Sequence, residues 1–437
     1  MKCLIIAAGQ GNRLKSKGII KPLVPLLGVS LIERVIRSAI EGGVNEFIVV
    51  TGYKGEQVSK FLKQCAKRLD VAITLLQNDE WQKENGFSVL KARDFIKEHF
   101  LLLMADHLFD PAIIRSLKKQ SLNEGDVLLV VDTNKHNQLI NIEDVTKVQI
   151  KDGHILNIGK TIDNFNGFDT GIFLCTTAIF GALERACKTY NDTTLSAAIR
   201  VLAENKHAKA VQTKGFWIDI DDEKAHQKAE KALLDSLRGK TNDGPVSHWL
   251  NRPISTRISK FLVNFNITPN QISLFSLVLS VIAAGLFALG DYLFLALGGI
   301  IAQFASIIDG SDGEVARLKY LSSDYGGWFD AVLDRYADAF LLFGLTWNVY
   351  SQNKSLWAFG VGFLAIIGSF MLSYTADKYD KLMKNRIKKG IRIGRDARVF
   401  LIFIGAILNQ PYPVLVLIAV LMNLESIRRV ITCQNDR

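Results

Sequence analysis

Four aspartates, Asp309, Asp312, Asp330 and Asp334, stand within 26 positions of one another between long apolar, membrane-like runs. A carboxylate in or near a bilayer costs about 2.5–3.5 kcal/mol or more unless it is paired, solvated or bound to a cation. Divalent metal is the simplest remedy. The spacings of three and four put each pair on one face of its helix. Two such helices, antiparallel across a short turn, present four hard oxygen donors, a set suited to one or two Mg²⁺ or Mn²⁺ ions. Gly313, Ala316, Gly326 and Gly327 keep the same face small, so a nucleotide can approach the backbone, and Arg317 is placed to meet a phosphate.

Read in order, Asp309-x2-Asp312-Gly313-x2-Ala316-Arg317-x8-Gly326-x3-Asp330-x3-Asp334 resembles, without a departure, the signature of the CDP-alcohol phosphotransferase family. That resemblance implies metal at the four aspartates and a nucleotide held by Gly313, Ala316, Arg317 and Gly326. It also implies that Asp334, besides serving as a ligand, deprotonates an attacking hydroxyl. Arg395 and Arg398, in Gly394-Arg395-Asp396-Ala397-Arg398, are candidates for the phosphate of the acceptor; the competing reading is simple basic flanking of a membrane helix.

The amino-terminal half carries a second set of phosphate-handling residues. Cys3 to Ala7 reads as a buried strand, followed by Ala8-Gly9-Gln10-Gly11-Asn12-Arg13-Leu14 and then Lys21-Pro22-Leu23. Glycines after a strand let backbone N–H groups wrap a phosphate, and Arg13 and Lys21 supply positive charge for a triphosphate. The spacing matches neither GxGxxG nor the Walker GxxxxGK[ST], which removes the Rossmann and P-loop readings. AAGxGxRL followed by KPL resembles instead the sugar-phosphate nucleotidyltransferase family, with further matches at Asn85-Gly86-Phe87-Ser88, Leu101 to Asp106, Gly159-Lys160, Phe168 to Phe173 and Trp217-Ile218-Asp219-Ile220-Asp221. The resemblance implies that Asp106 and Asp219 hold the metal that bridges the triphosphate, with Asp221 a second candidate. It further implies that Ala8, Gly9, Gly11, Asn85 and Ser88 bind nucleotide, that Arg13 and Lys21 act in catalysis, and that Lys160, Asp169 and Thr170 meet the phosphorylated substrate. Ala105 departs from the glycine or aspartate more usual before the central acid. Mg²⁺ or Mn²⁺ is expected at both sites.

The elements that must position these residues differ sharply between the halves. In the first, apolar strands at 3–7, 46–51, 72–76, 100–105 and 126–131 alternate with amphipathic helices at 30–42, 55–69 and 86–98. This predicts a Rossmann-like three-layer α/β domain with a mostly parallel sheet and nucleotide at the strand C-terminal ends. The soluble domain is expected over 1–238, closed by a helix from 223 to 238, with a flexible linker at 239–246. Residues 247–265 set Trp249, Leu250, Ile254, Ile258, Phe261 and Leu262 against Arg252, Arg257 and Lys260, the pattern of a juxtamembrane helix lying at a membrane surface, with Pro253 disturbing its first turn. From 266 to 437, long apolar runs predict an all-α domain of six transmembrane helices at 268–290, 292–319, 323–350, 355–386, 396–410 and 412–432. Basic residues before the first span, at Arg317 and Lys319, and from Lys378 through Arg398 place both termini and both sites on the cytoplasmic side of a multi-pass cell-membrane protein.

Membrane flanks and phosphate handling account for most of the formal net charge of +10, and no aromatic-interleaved basic module accompanies it, so nucleic acid is not an expected partner. The five cysteines show no CxxC or CxH spacing and are expected to be reduced. The seven histidines are dispersed, with only His107 near a motif. Met1 to Ala8 is too short an apolar core for a cleavable signal.

The two halves make consecutive chemistry. A nucleotidyltransferase activates a phosphorylated alcohol as its CDP derivative, and a phosphotransferase moves that phospho-alcohol to a second hydroxyl with release of CMP. The ordering favours CTP. Across nearly its whole length the chain resembles a family of bifunctional archaeal and bacterial enzymes joining inositol-1-phosphate cytidylyltransferase to di-myo-inositol-phosphate-phosphate synthase. That implies inositol 1-phosphate and CTP as substrates, CDP-inositol as intermediate, a compatible-solute precursor as product and a homodimer through the membrane helices. A phospholipid product made on a lipid acceptor is the alternative, and a non-catalytic nucleotide sensor a third reading, which the intact aspartate signature opposes.

Overall fold

The computed structural model describes residues 1–14, 16–237, 244–382 and 394–435. The chain separates into two compact units, Met1–Ala232 and Leu233–Arg437.

In the first unit the elements run β1 (Lys2–Ala7), β2 (Pro25–Leu26), β3 (Val29–Ser30), α1 (Leu31–Glu41), β4 (Glu46–Thr51), α2 (Gly55–Leu69), β5 (Ala72–Gln77), α3 (Asn85–Leu90), β6 (Phe100–Met104), β7 (His107–Phe109) and α4 (Pro111–Leu117). They continue with β8 (Val127–Asp132), β9 (Lys147–Lys151), β10 (His154–Gly159), β11 (Gly167–Cys175), α5 (Ala178–Tyr190), α6 (Leu195–Ala203), β12 (Ala208–Thr213), β13 (Trp217–Asp219) and α7 (Glu223–Ser236). The nine-stranded sheet has the order β5-β4-β1-β6-β11-β8-β12-β10-β9. Its first four strands are parallel, with Ile5 opposite both Val49 and Leu103. The expectation of a mostly parallel sheet needs correction beyond them, because β11 runs antiparallel to both β6 and β8, and β9 and β10 form a hairpin. A tight β9–β10 hairpin reverses the chain, and β11 then returns into the centre of the sheet instead of crossing over through a helix.

Periodicity locates α1 and α2 closely, but the helix expected at 86–98 stops at Leu90. A 3₁₀ turn follows at Arg93–Phe95, and Ile96, extended and 1% exposed, leaves the helical path to fill the core. Leu4, Val50, Phe100, Leu102, Leu129, Phe173 and Ile199 are among the side chains that make this core. All five cysteines are free thiols.

The second unit is helical: α8 (Arg252–Leu262), α9 (Pro269–Ala288), α10 (Tyr292–Leu318), α11 (Asp324–Asn353), α12 (Trp357–Leu382), α13 (Arg395–Ile407) and α14 (Pro411–Asn435). Thr268 begins α9 with a reciprocal capping box to Gln271, and Ser323 caps α11 through the Gly326 N–H. Helices occur at all six expected positions, and among the described residues three of them, α9, α10 and the first twenty residues of α12, are long and apolar enough to cross a membrane. The expected linker at 239–246 lies mostly outside the described residues, as does most of the basic stretch between α12 and α13.

Helix α8 is amphipathic in an unusual sense. Its polar side chains Ser255, Thr256 and Ser259 are buried, whereas Trp249 just before it and Phe261 within it are 78% and 63% exposed. A helix whose polar face packs inward and whose apolar face points out fits a lipid surface. The chain enters it through a π turn at Ser247–Asn251 that continues directly into α8, with Arg252 N–H reaching back five residues to Ser247 O just ahead of Pro253, so the ladder is irregular where the proline was expected to disturb it. The inward anchor is Glu314 of α10, fully buried, which accepts from Arg252 Nη1, Ser255 Oγ and Ser259 Oγ, each at 2.7 Å. Glu314→Ala should therefore cost about 3–5 kcal/mol by removing the acid from a buried ion pair. The measurement is the thermal midpoint in detergent, with Glu314→Gln retaining more of the stability than alanine; an unchanged midpoint for both would count against the anchor.

Small residues serve the interior of the bundle. A Cβ on Gly298 would meet Phe287, one on Gly299 would meet Ala406, and one on Gly362 would meet Thr346, so these glycines are used between helices of one chain; Gly360 faces open space.

Candidate active sites

In the first unit the loop after β1 and the ends of β6 and β13 converge. Gly11 has φ +66°, and a side chain there would run into Lys21, so glycine is what lets the loop close over that lysine. Lys21 is buried and its ammonium bridges Asp106 and Asp221. Burial pulls the Lys21 ammonium downward, but Asp106 and Asp221 outweigh this and hold it well above the ordinary lysine value. The same pairing offsets burial at Asp106 and Asp221 and keeps both below the usual carboxylate range.

Arg13 spans Asp144 and, at 2.7 Å, Asp221. Lys160 is 2.7 Å from the other oxygen of Asp144. Asp144 therefore collects two cations that the sequence pointed to separately; nothing in its own surroundings marked it. Asp221 is engaged by Lys21 and Arg13, which separates it from Asp219 although the two share a short segment. A cavity of about 490 Å³ opens beside this network, with Asp144, Trp217, Asp219, Asp221, Lys224 and Lys228 on its wall.

Asp106, Asp219 and His107 bring one ligand atom each to within 4.8 Å of one another. Asp219 Oδ1 is buried and has no hydrogen-bond partner, the condition of a carboxylate oxygen awaiting a cation. Burial raises Asp219 above the usual carboxylate range despite the neighbouring His107, and burial also pushes Asp169 up to about 6.

Other expected contacts resolve differently. Thr170 is fully buried and its hydroxyl donates to Val130 O, so its side chain belongs to the sheet and only its carbonyl faces the site; this corrects its expected role as a substrate ligand. Ser88 is likewise buried against Asn78, and the Asn85 side chain accepts from Leu195 N, so both spend hydrogen bonds on holding α3. Asp169 Oδ1 accepts from Gly171 N at 2.7 Å.

In the second unit α10 and α11 both pack against α9 and bring their aspartates together at one point. Asp309, Asp330 and Asp334 bring one oxygen each to within 4.8 Å, while Asp312 is held by Ser273 at 2.5 Å. Asp330 Oδ1 is buried without a hydrogen bond, Asp334 Oδ1 is buried with only the Arg395 guanidinium against it, and an all-carboxylate set of this kind suits a hard divalent cation. Asp312, Gly313, Ala316, Arg317, Gly326 and Asp330 line one cavity of about 160 Å³, so every residue expected around the nucleotide reaches the same place.

Arg395 Nη1 lies 2.6 Å from Asp309 and 2.5 Å from Asp334. Arg398 is instead 3% exposed and pairs at 2.6 Å with Asp338, which also accepts from Ser369 at 3.0 Å. A guanidinium so enclosed has no open face for an acceptor phosphate, and the expectation for Arg398 is corrected to that of a support for Asp338. Asp338 is not marked by the aspartate signature, although its place four residues after Asp334, on the same helical face, is a usable signal.

Two sequence-family models match the chain: MobA-like NTP transferase domain over residues 3–213, and CDP-alcohol phosphatidyltransferase over residues 266–427. The second, with the three apolar helices, marks a membrane protein. The "Bifunctional IPC transferase and DIPP synthase" of Aquifex aeolicus is 35% identical, covering 97% of this chain and 96% of that protein. The protein of the same name from Rubrobacter xylanophilus is 34% identical, covering 99% and 96%. Among solved structures, that titled as the inositol-1-phosphate CTP transferase from T. maritima superposes with a TM-score of 0.46 at 25% identity, covering 53% of this chain and 95% of that one. With both catalytic domains matched in order and curated relatives aligned over nearly the full length, the chain belongs to the family of bifunctional IPC transferases and DIPP synthases, and is a two-domain transferase.

Proposed function

We propose that the first unit converts CTP and inositol 1-phosphate to CDP-inositol and pyrophosphate, and that the second transfers phosphoinositol from CDP-inositol to another inositol 1-phosphate, releasing CMP. The observation that carries this reading is the presence of two separate acid clusters, each assembled within its own unit, on a chain with near full-length bifunctional relatives.

In the first reaction the phosphate of inositol 1-phosphate attacks the α-phosphorus of CTP. Lys21 and Arg13 are released from their aspartates by the incoming phosphates and neutralise charge as pyrophosphate leaves; Lys160 holds the phosphate of the polyol. Asp106 and Asp219 would hold the divalent ion. In the second reaction a hydroxyl of the acceptor attacks the phosphorus that carries inositol. Asp334 takes the hydroxyl proton, Arg395 meets the acceptor phosphate, and the cavity around Gly313, Ala316, Arg317 and Gly326 holds the cytidine diphosphate portion. Asp309, Asp312 and Asp330 complete the metal-binding set. When bound, Mg²⁺ or Mn²⁺ neutralises phosphate oxygens and polarises the phosphorus under attack. Six membrane spans, cytoplasmic termini and sites, and a homodimer through the membrane helices complete the proposal; the basic flanks support the orientation.

The test is to incubate full-length protein in detergent with Mg²⁺, CTP and inositol 1-phosphate and follow phosphorus species by NMR. Pyrophosphate, CMP and a new water-soluble phosphodiester are expected. Pyrophosphate and CDP-inositol without CMP, together with turnover once a lipid alcohol is added, would overturn the soluble-acceptor assignment in favour of phospholipid synthesis.

A further inference from the structure

His107 is the only histidine near a motif, and the fold gives it a fixed position against the acids. Strands β7 and β13 pair antiparallel with Asp219 directly opposite His107, while Asp106 immediately precedes β7. Cross-strand partners at such a position project together, so the pairing register itself brings the imidazole and the carboxylate to one point.

The ring cannot choose freely between its two nitrogens. Nδ1 lies 2.8 Å from Thr170 O, and a carbonyl can only accept, so Nδ1 carries the hydrogen. That leaves Nε2 facing the acids, 3.4 Å from Asp219 Oδ1 and 3.8 Å from Asp106 Oδ1. The approach is protected on two sides. Gly171 has φ +72°, and a Cβ there would strike the imidazole; the Trp217 ring stands 6.4 Å away on another side.

The oxygens are divided in the same way. Lys21 takes Asp106 Oδ2, leaving Oδ1 on the histidine side, and Asp219 Oδ1 is buried with no hydrogen bond. Adjacent donors around an ion with bonds of about 2.1 Å stand about 3 Å apart or slightly more. The imidazole stands 3.4 and 3.8 Å from its two acid oxygens, so on the histidine side the donors close by less than about 1 Å to share one ion.

We propose that Nε2 of His107 is a third protein ligand, beside Asp106 and Asp219, of the divalent ion in the cytidylyltransferase site. The Thr170 carbonyl is the outer partner that fixes its tautomer, an arrangement usual for metal-binding histidines. An imidazole in a carboxylate set shifts preference from Mg²⁺ toward Mn²⁺ and later first-row ions. The proposal rests on the metal-dependent reading of this site, whereas the membrane cluster offers carboxylates only among the described residues.

The test uses Mn²⁺ and full-length protein in detergent micelles. Pulsed electron paramagnetic resonance should show nitrogen modulation from a directly bound imidazole. The pattern should change on [¹⁵N]histidine labelling of the unaltered chain, disappear in His107→Gln, and persist in Asp334→Ala. The labelling measurement needs no variant, so a folding failure of His107→Gln leaves the inference testable. Bound Mn²⁺ that is lost in Asp219→Ala yet shows no histidine nitrogen in the unaltered protein would overturn the proposal. Equal Mn²⁺ binding by wild type and Asp219→Ala would overturn both the ligand assignment and the metal reading of this site. Pyrophosphate release in the same preparations reports separately on the cytidylyltransferase reading.

Discussion

Asp334→Ala is expected to reduce CMP release by about 10²–10⁴-fold, the usual contribution of a positioned general base, while pyrophosphate release from CTP and inositol 1-phosphate is unchanged. Asp334 sits where three demands meet: it brings an oxygen within reach of those of Asp309 and Asp330, Arg395 pairs with its Oδ1 at 2.5 Å, and its Oδ2 accepts from Arg335 Nη2 at 3.3 Å. Alanine removes the proton acceptor and one donor of the metal set together, so substrate binding alone cannot compensate. Asp309→Ala should give the same separable loss, because that residue shares both the cluster and Arg395. The assay supplies CTP and inositol 1-phosphate to one sample and follows both pyrophosphate and CMP. Parallel loss of the two activities in a protein that remains folded would refute two independently assembled sites.

Lys21→Ala should produce the mirror image. The side chain is the buried cation between Asp106 and Asp221, and its removal leaves those carboxylates to repel the incoming triphosphate. Loss of one preorganised charge at a phosphoryl-transfer site costs about 10²–10³-fold. Pyrophosphate release should fall by that factor, and CMP release from CTP should fall with it because the intermediate is missing. Supplying CDP-inositol should then restore CMP formation to the wild-type rate. Asp106→Ala should behave alike. A variant not rescued by added CDP-inositol, with its melting curve intact, would show that the amino-terminal site has a part in both reactions.

Much of this arrangement is legible in the pattern of residues along the chain. The aspartate signature falls on helices α10 and α11 because its spacings follow the helical repeat, and the strands of the first unit are marked by apolar runs of five or six residues that alternate with amphipathic helices. The extent of α3 is not legible in this way, since Ile96 leaves the helical path to satisfy a core formed by residues far away in sequence. The antiparallel half of the sheet is hidden for a similar reason: apolar strands record burial, but not the direction from which a strand arrives.

Residue types and spacing by themselves marked the aspartate cluster and the apolar helices, because metal binding demands particular donors and helices repeat at a fixed period, and the likeness of the motifs to two families gave the two classes of phosphate chemistry. Tertiary structure decided the pairings. It set His107 opposite Asp219 through strand register, gathered Arg13 and Lys160 on Asp144, turned Arg398 inward to Asp338 while leaving Arg395 beside Asp309 and Asp334, and locked Ser255 and Ser259 onto Glu314. Each pairing joins side chains through distance and direction in space, which one-dimensional spacing does not encode beyond a single helix or strand.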